Sequence, residues 1–149
     1  MKIYYREKSG GIEILRCFGI EGRVEIPGMI DGKLVISAAP YAFSSHMDEK
    51  EDLKNASLWE VSDGLEFGRE EHVLAGNDVE EIVFPYTLKE IGRYIFYGCG
   101  NLKKLEFSDS LMQIGCGAFT GCHALEKLTV HMEQGKKSGV KEMLGEMWQ

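Results

Sequence analysis

The sequence predicts a short, right-handed, β-rich solenoid in which similar coils of chain stack around one continuous core. Two observations carry this prediction. Residues 79–101 and 102–124 match at a shift of 23 positions, and a strand-like segment, residues 125–130, follows at the same spacing. Within a coil, apolar residues such as Leu105 and Phe107 alternate with polar ones, as in a strand with one buried face. One such coil cannot bury its own apolar face, but stacked coils can.

The two central coils coincide at landmarks that a solenoid requires. The matched pairs are Leu88 with Leu111, Ile91 with Ile114, Gly92 with Gly115, Phe96 with Phe119, Gly98 with Gly121 and Cys99 with Cys122. The glycines lie where the backbone turns or approaches the neighbouring coil. Two ladders of inward side chains are predicted for the core: Trp59/Ile82/Leu105/Leu128 and Val61/Phe84/Phe107/Val130.

The period extends towards the start of the chain, with an interruption. Residues 59–65 lie 23 positions before residues 82–88, although the second half of that coil is degenerate. Residues 24–27 mark a still earlier coil, with 12 extra residues in between. We place about five of them in the turn 27–33 and about seven in an acidic insertion near 44–55, because loops tolerate insertions best.

A single domain, residues 1–149, accounts for the chain length. Residues 1–20 alternate around a Ser-Gly-Gly turn and predict an N-terminal β-hairpin cap, with Ile3, Tyr5, Ile12, Ile14 and Cys17 as its apolar residues. Residues 21–131 hold about four repeats.

Residues 132–149 predict a C-terminal helical cap. One helical face would carry Val140, Met143, Leu144, Met147 and Trp148, with Ser138 as the N-cap. This helix would cover the open end of the stack, or alternatively pair with a second copy to form a homodimer.

The repeated motifs, L-x-x-L-x-L followed by I-G-x-x-A-F-x-G-C, resemble the BspA-like leucine-rich repeat family, whose coils have about 23 residues. Residues 23–35 look like that family's first coil, and the resemblance covers roughly residues 1–131. It departs at residues 36–39, where Ser37-Ala38-Ala39 replaces the usual Ile-Gly pair, and in the degenerate coil around residues 66–78. The resemblance implies a protein-binding or adhesion module of a largely bacterial, largely uncharacterised family that shares no catalytic residues.

Charge excludes several function classes. The net charge is −7, and residues 46–81 alone carry 12 acidic against 3 basic side chains. A general nucleic-acid binder would need the opposite balance. No apolar run is long enough to cross a membrane, and the charged start lacks a signal peptide's apolar region. We therefore expect a cytoplasmic protein from the sequence as written, or a surface or secreted one if it belongs to a longer precursor.

Neither a metal site nor a cofactor is expected. Cys17, Cys99, Cys116 and Cys122 form no CxxC pair and are expected to be free thiols. His123 follows Cys122, but neighbours on an extended chain point to opposite sides. The chain is therefore expected not to be an enzyme, and a thiol-dependent or redox-sensing role for an exposed Cys116 is the less favoured alternative.

The outward row of the stacked strands is the candidate binding surface for a protein or peptide partner, with a glycan as the other ligand considered. Its residues are Glu60, Glu81, Val83, Lys104, Glu106, Lys127, Thr129 and His131. Acidic residues fall early and basic residues late in the row Glu81, Lys104, Lys127, and a cross-strand ion pair between Glu81 and Lys104 is expected.

Overall fold

The computed structural model describes residues 1–46, 53–62, 70–132 and 143–144. These residues form twelve β-strands and two short 3₁₀ turns, Leu53–Asn55 and Gly76–Asp78. The strands are β1 (Lys2–Lys8), β2 (Gly11–Gly19), β3 (Arg23–Glu25), β4 (Met29–Ile30), β5 (Lys33–Ala38), β6 (Ser57–Glu60), β7 (His72–Val73), β8 (Glu81–Val83), β9 (Glu90–Ile91), β10 (Lys104–Ser108), β11 (Gln113–Ile114) and β12 (Lys127–His131).

Two sheets form the walls of a β-solenoid. The front sheet contains the four parallel strands β3, β8, β10 and β12, in that spatial order. The back sheet has the order β11-β9-β5-β2-β1-β6, and β5, β9 and β11 are parallel to one another. The coils of β3, β8 and β10 therefore each contribute one strand to the front sheet and one, β5, β9 or β11, to the back sheet, which confirms the predicted stack of coils.

Phenylalanine rings from successive coils fill the space between the sheets. Phe84 and Phe107 stack with ring centroids 5.0 Å apart. Phe43, Phe96 and Phe119 form a second column, with centroid distances of 6.1 and 5.6 Å. Such aromatic pairs contribute beyond the apolar area that they bury. The columns continue from coil to coil, so the core is shared by the whole stack.

The predicted N-terminal hairpin is present. Strands β1 and β2 pair antiparallel with a register shift between Tyr4 and Tyr5. Ile3, Ile14 and Cys17 are completely buried and belong to the same core cluster as the coils. Strand β2 also pairs in parallel with β5, so the hairpin continues the back sheet.

The prediction that a coil of the repeat begins at residue 59 is wrong for residues 59–62, and residues 63–65 lie outside the described residues. Strand β3 pairs directly with β8, and Val24 and Ile26 occupy the ladder positions assigned to Trp59 and Val61. Strand β6 instead pairs antiparallel with β1, where it covers the hairpin edge. Val61 is accordingly 41% exposed. The 23-residue spacing of this segment does not reflect membership of the repeat.

One of the two predicted insertions is present as predicted, whereas the other differs in length from the prediction. The extra residues predicted for the turn 27–33 are present as the antiparallel β4–β5 pair. The second insertion is much longer than predicted, because the coil that contains Phe43 stacks on the one that contains Phe96. Residues 46–78 as a whole separate these two coils, and residues 47–52 and 63–69 of that stretch lie outside the described part.

Close backbone contact between coils explains the glycine of the repeat. A Cβ at Gly92 would lie 2.2 Å from the Pro40 nitrogen, and one at Gly115 would lie 2.2 Å from the Arg93 nitrogen. The first coil carries Ala39 at this position, fully buried, with its N–H donating to Ile14 of the hairpin. The departure of residues 37–39 from the repeat pattern therefore coincides with the change of neighbour from coil to hairpin.

The structure does not support the predicted C-terminal helical cap. Residues 133–142 and 145–149, including Ser138, Val140, Met147 and Trp148, lie outside the described residues. Met143 and Leu144 have helical backbone, but no helix has defined bounds. Leu144 is buried in the core cluster, and Met143 packs against it.

Candidate binding face

Seven of the eight predicted binding residues lie together on the outer side of the front sheet, which we call the front face. Strand pairing aligns Glu81, Lys104 and Lys127 in one row across the sheet. A second row, nearer the strand ends, is Val83, Glu106 and Thr129, and His131 lies beyond it at the end of β12. The buried residues between them, such as Leu105, point into the core, so the alternation of the strands places these side chains outward.

The eighth predicted residue, Glu60, does not lie on the front face. It lies on β6 opposite Lys2 of the hairpin, and its carboxylate is 3.9 Å from the Lys2 ammonium. Arg23 and Glu25 of β3 take the positions next to Glu81 and Val83. The error follows from the incorrect coil assignment, since β3 has the same outward alternation as the other front strands.

The first strand of the front sheet is β3 and not β6, so the order of charges along the front face differs from the predicted one. Arg23, not an acidic residue, begins the first row, and its Nε lies 3.5 Å from the Glu81 carboxylate. Arg23 also pairs with Glu25 at 3.1 Å. Within the described residues no ion pair joins Glu81 to Lys104, so the predicted cross-strand pair is wrong. The row near the strand starts is mainly basic, and the second row holds the carboxylates of Glu25 and Glu106.

A groove of about 760 Å³ runs along the carboxyl ends of the front strands, and we call it the end groove. Its lining combines the carboxylates of Glu25 and Glu106 with the side chains of Trp59, Val83, Tyr86 and His131. Tyr86 is 76% exposed, which is unusual for so large an apolar ring. Glu25, Trp59 and Tyr86 line this groove but are not among the predicted binding residues. The exposed aromatic in the Pro-Tyr-Thr turn after β8 is a signal that could have indicated the groove.

Hydrogen bonds between coils fix the turns that border the end groove. Ile26 donates its N–H to Val83 at 2.9 Å, and the Thr87 hydroxyl donates to the Val35 carbonyl at 2.6 Å. The Ser108 hydroxyl donates to the Tyr86 carbonyl at 3.4 Å. His131 Nε2 lies 3.4 Å from a Glu106 carboxylate oxygen. The groove is therefore formed by turns that are held by their neighbours.

The cysteines have the environments predicted for packing residues, with one exception. The Cys99 and Cys122 thiols donate to carbonyls of the preceding coil, those of Phe43 and Phe96, at 3.2 and 3.3 Å. Burial raises the pKa of Cys99 to about 12 and that of Cys122 to about 11. Such thiols are poor nucleophiles because the reactive thiolate is rare.

Cys17 resembles these two thiols, whereas Cys116 does not. Burial raises the pKa of Cys17 to about 12. Cys116 is exposed, as the repeat pattern predicted. In the described part of the chain, no side chain forms a hydrogen bond or ion pair with its thiol, so no base is positioned there to activate it.

An aromatic cluster at the corner between the coils consists of the half-buried Tyr41 and Tyr94 and the exposed Tyr97 and His46. Tyr41 and Tyr94 stack at 5.6 Å, and Tyr94 meets Tyr97 edge-on at 5.9 Å. Tyr41 and Tyr94 have positive φ values of 60° and 52°. Gly117 occupies the same place in the next coil with φ 67°. The left-handed backbone is therefore a feature of the coil corner, and the tyrosines stack as a consequence of the repeat.

Metal-ligating clusters and membrane-spanning helices are both absent from the described residues. No group of three or more His, Cys, Asp or Glu side chains there could hold a metal ion. Among the helices of the described part, none is long and apolar enough to cross a membrane.

Coils of similar length that stack around one core, with parallel strands aligned from coil to coil, define the class of repeat-containing solenoids. Residues 70–139 match the model described as BspA type leucine rich repeat region (6 copies), so this region belongs to the BspA-type leucine-rich repeat family. The chain thus contains a BspA-type leucine-rich repeat region. The structure adds one coil that lies before the matched residues, the coil of β3 and β5. No curated protein matches the sequence.

Two solved structures are similar to the chain. A leucine rich cell surface protein from Faecalibacterium prausnitzii A2-165 is 19% identical, with a TM-score of 0.56 over 87% of this chain. The match covers 30% of that protein, so the chain spans less than a third of its length. A leucine-rich repeat protein from T. pallidum is 16% identical, with a TM-score of 0.37, over 96% of this chain and 92% of that one.

Proposed function

We propose that this chain is a non-enzymatic module that binds a protein or peptide through its front face. The observation that carries the proposal is the front face itself, where four parallel strands bring charged side chains from separate coils into regular rows. Solenoids characteristically bind partners on such extended surfaces. Leucine-rich repeat modules typically bind proteins, and the similar protein from F. prausnitzii is a cell surface protein.

The distribution of charge supports a partner with a definite orientation. Lys104 and Lys127 are exposed near the strand starts, and Glu25 and Glu106 lie nearer the strand ends. A partner with acidic groups at one edge and basic groups at the other would match both rows. Electrostatic complementarity of this kind contributes to specificity and association rate.

Lys104 and Lys127 are the residues to change first. Replacing both by Glu reverses the charge of the exposed basic row without touching the core, since both side chains are solvent-exposed. We expect partner capture from the source cell lysate to fall about tenfold. The measurement is quantitative mass spectrometry of retained proteins, with circular dichroism to verify the fold.

A matched control is the pair Lys54→Glu and Lys89→Glu. Both residues are exposed and lie outside the front sheet, and the change in net charge is the same. A partner that is retained by the control and lost by the front-face variant supports the proposal. Equal loss in both variants, or in neither, contradicts it.

We further propose that residues 1–149 fold as one unit. The hairpin, the coils and Leu144 belong to one cluster of buried residues, which supports this assignment. Limited proteolysis tests it: a single resistant species is expected, and separate stable fragments would contradict it.

A further inference from the structure

We propose that the end groove holds a cationic side chain, Arg or Lys, of an extended peptide segment that carries an aromatic residue next to it. The proposal deepens the proposed function, because it rests on the front face being the binding surface. It assigns the acidic part of that surface a ligand class, a guanidinium or ammonium group beside an apolar group.

The geometry of the strands places two carboxylates around an apolar floor. Glu25, Val83 and Glu106 are opposite one another on the adjacent strands β3, β8 and β10. Neighbouring strands are about 4.8 Å apart, so the two glutamates flank Val83 at a backbone separation of about 10 Å. Glutamate side chains can converge over that distance on one cation. Val83 is half-buried and carries no charge that would compete with them.

The charge of the groove selects the sign of its occupant. Glu25 and Glu106 supply two negative charges to the lining, and His131 is the remaining titratable group besides Tyr86. Arg23 contacts Glu25, but it is not part of the groove lining. Glu25 is 68% exposed on its side chain and Glu106 37%, so both carboxylates are accessible to a ligand.

Aromatic side chains in the groove lining and exposed apolar residues next to it in the chain select the rest of the ligand. Trp59 and Tyr86 both line it, and Tyr86 is largely exposed. A cation near the face of such a ring gains a cation–π attraction, for which Trp is the strongest partner. Exposed Met29 and Leu34 lie opposite each other on the β4–β5 pair that follows Gly28 of the groove lining. Because Met29 directly follows Gly28 of the lining in the chain, we assign the aromatic residue beside the cation to this exposed apolar pair.

Two probe peptides test the inference on the complete chain. The first is acetyl-Gly-Gly-Arg-Phe-Gly-Gly-amide, and the second has citrulline in place of Arg, which keeps the shape and removes the charge. Both are titrated into ¹⁵N-labelled protein at about 0.15 M salt, where the Debye length of ~8 Å screens the general negative field. We expect saturable shift changes at the amides of Gly28, Val83 and Thr87. Binding of the citrulline peptide should be weaker by about fivefold.

Matched variants separate the groove from general acidity. Glu25→Gln with Glu106→Gln should weaken the arginine probe about fivefold. Glu80→Gln with Glu126→Gln changes net charge equally, at exposed corners before β8 and β12, and should leave the affinity unchanged. Because all four side chains are at the surface, each double variant should keep the parent's amide spectrum elsewhere.

Several outcomes would overturn the inference. These are shifts outside the groove, equal binding of the citrulline peptide, equal weakening by the two double variants, and no saturable shift at all. The result also distinguishes this inference from the proposed function. If the arginine probe fails while the Lys104/Lys127 variant still loses its partner, the front face stands and the cationic subsite is wrong. If the probe binds as expected while partner capture ignores those lysines, the cationic subsite stands and the role of the Lys104/Lys127 row in the proposed function is wrong.

Discussion

The regular coils and the N-terminal third of the chain solve the same packing problem by different means. In residues 79–131, each coil rests on an almost identical neighbour, and glycines permit the close backbone approach. In residues 1–46, one coil packs on a β-hairpin, and alanine replaces the glycine at Ala39. The identity of the neighbour, more than the repeat itself, determines which residue each coil position accepts. Matched variants of the two regions test this comparison.

Phe96 at the centre of the stack should be more sensitive than Phe119 near its end. Phe96 is completely buried and contacts Phe43, Phe84 and Phe119, whereas Phe119 is only half-buried. Truncation of a buried phenylalanine to alanine costs about 3–5 kcal/mol. We expect Phe96→Ala to lower the free energy of unfolding by about 4 kcal/mol and Phe119→Ala by about half as much. Urea denaturation measures both, and equal losses would show that the position in the stack does not matter.

The glycine of the repeat, represented by Gly92, should be required only where its position packs against another coil. A Cβ at Gly92 would overlap the backbone of Ala39 and Pro40, so Gly92→Ala should destabilise the protein by about 3 kcal/mol. Ala39→Gly, at the same position of the first coil, should cost about 1 kcal/mol, through chain entropy and lost contacts.

Gly28→Ala is the control for the Gly92 variant. Its Cβ would meet its nearest neighbour, Pro85, at 3.6 Å, an ordinary contact, so its stability should stay within about 0.5 kcal/mol of the parent. If Gly92→Ala were as mild as Gly28→Ala, the close-approach explanation would be wrong.

The sequence predicted the parts of the fold in which identical neighbours repeat. The stacked coils, the inward phenylalanines and the N-terminal hairpin all follow from alternation and a fixed period, which local sequence carries. Seven of the eight front-face residues were found for the same reason. The turn insertion at residues 27–33 was also found, because apolar landmarks recur on both sides of it.

The features that the sequence did not predict depend on tertiary contacts between segments that are distant in the chain. Residues 57–60 have the alternation of a front strand, and nothing local distinguishes them from residues 23–25. Their pairing with the hairpin edge is decided by competition between two partners, and this error moved Glu60 onto the front face. The end groove was missed because its lining joins turns from several coils with Trp59 of the insertion.

An ion-pair cluster joins the hairpin to the regular coils and should give a small pH effect. The Lys8 ammonium bonds to both Glu13 and Glu90, and the Ser37 hydroxyl lies 2.9 and 3.0 Å from the same two carboxylates. The hydrogen bond from Lys8 lowers the pKa of Glu90 from its ordinary value of 4.5, although partial burial opposes it. The folded state therefore binds this proton less readily than the unfolded state does.

The stabilisation from Glu90 is present above pH 4.5 and is lost as the pH falls through the lowered folded-state pKa. Glu90→Gln removes this contribution, so the variant should be less stable than the parent at pH 7, by under ~1 kcal/mol for a partly exposed pair. Below pH 4.5 the two stabilities should converge. Thermal unfolding from pH 3 to pH 7 measures the difference, with Glu126→Gln at an exposed corner as the control. A parent–variant gap that is constant across this range would mean that the hairpin and the coils are not coupled through Glu90.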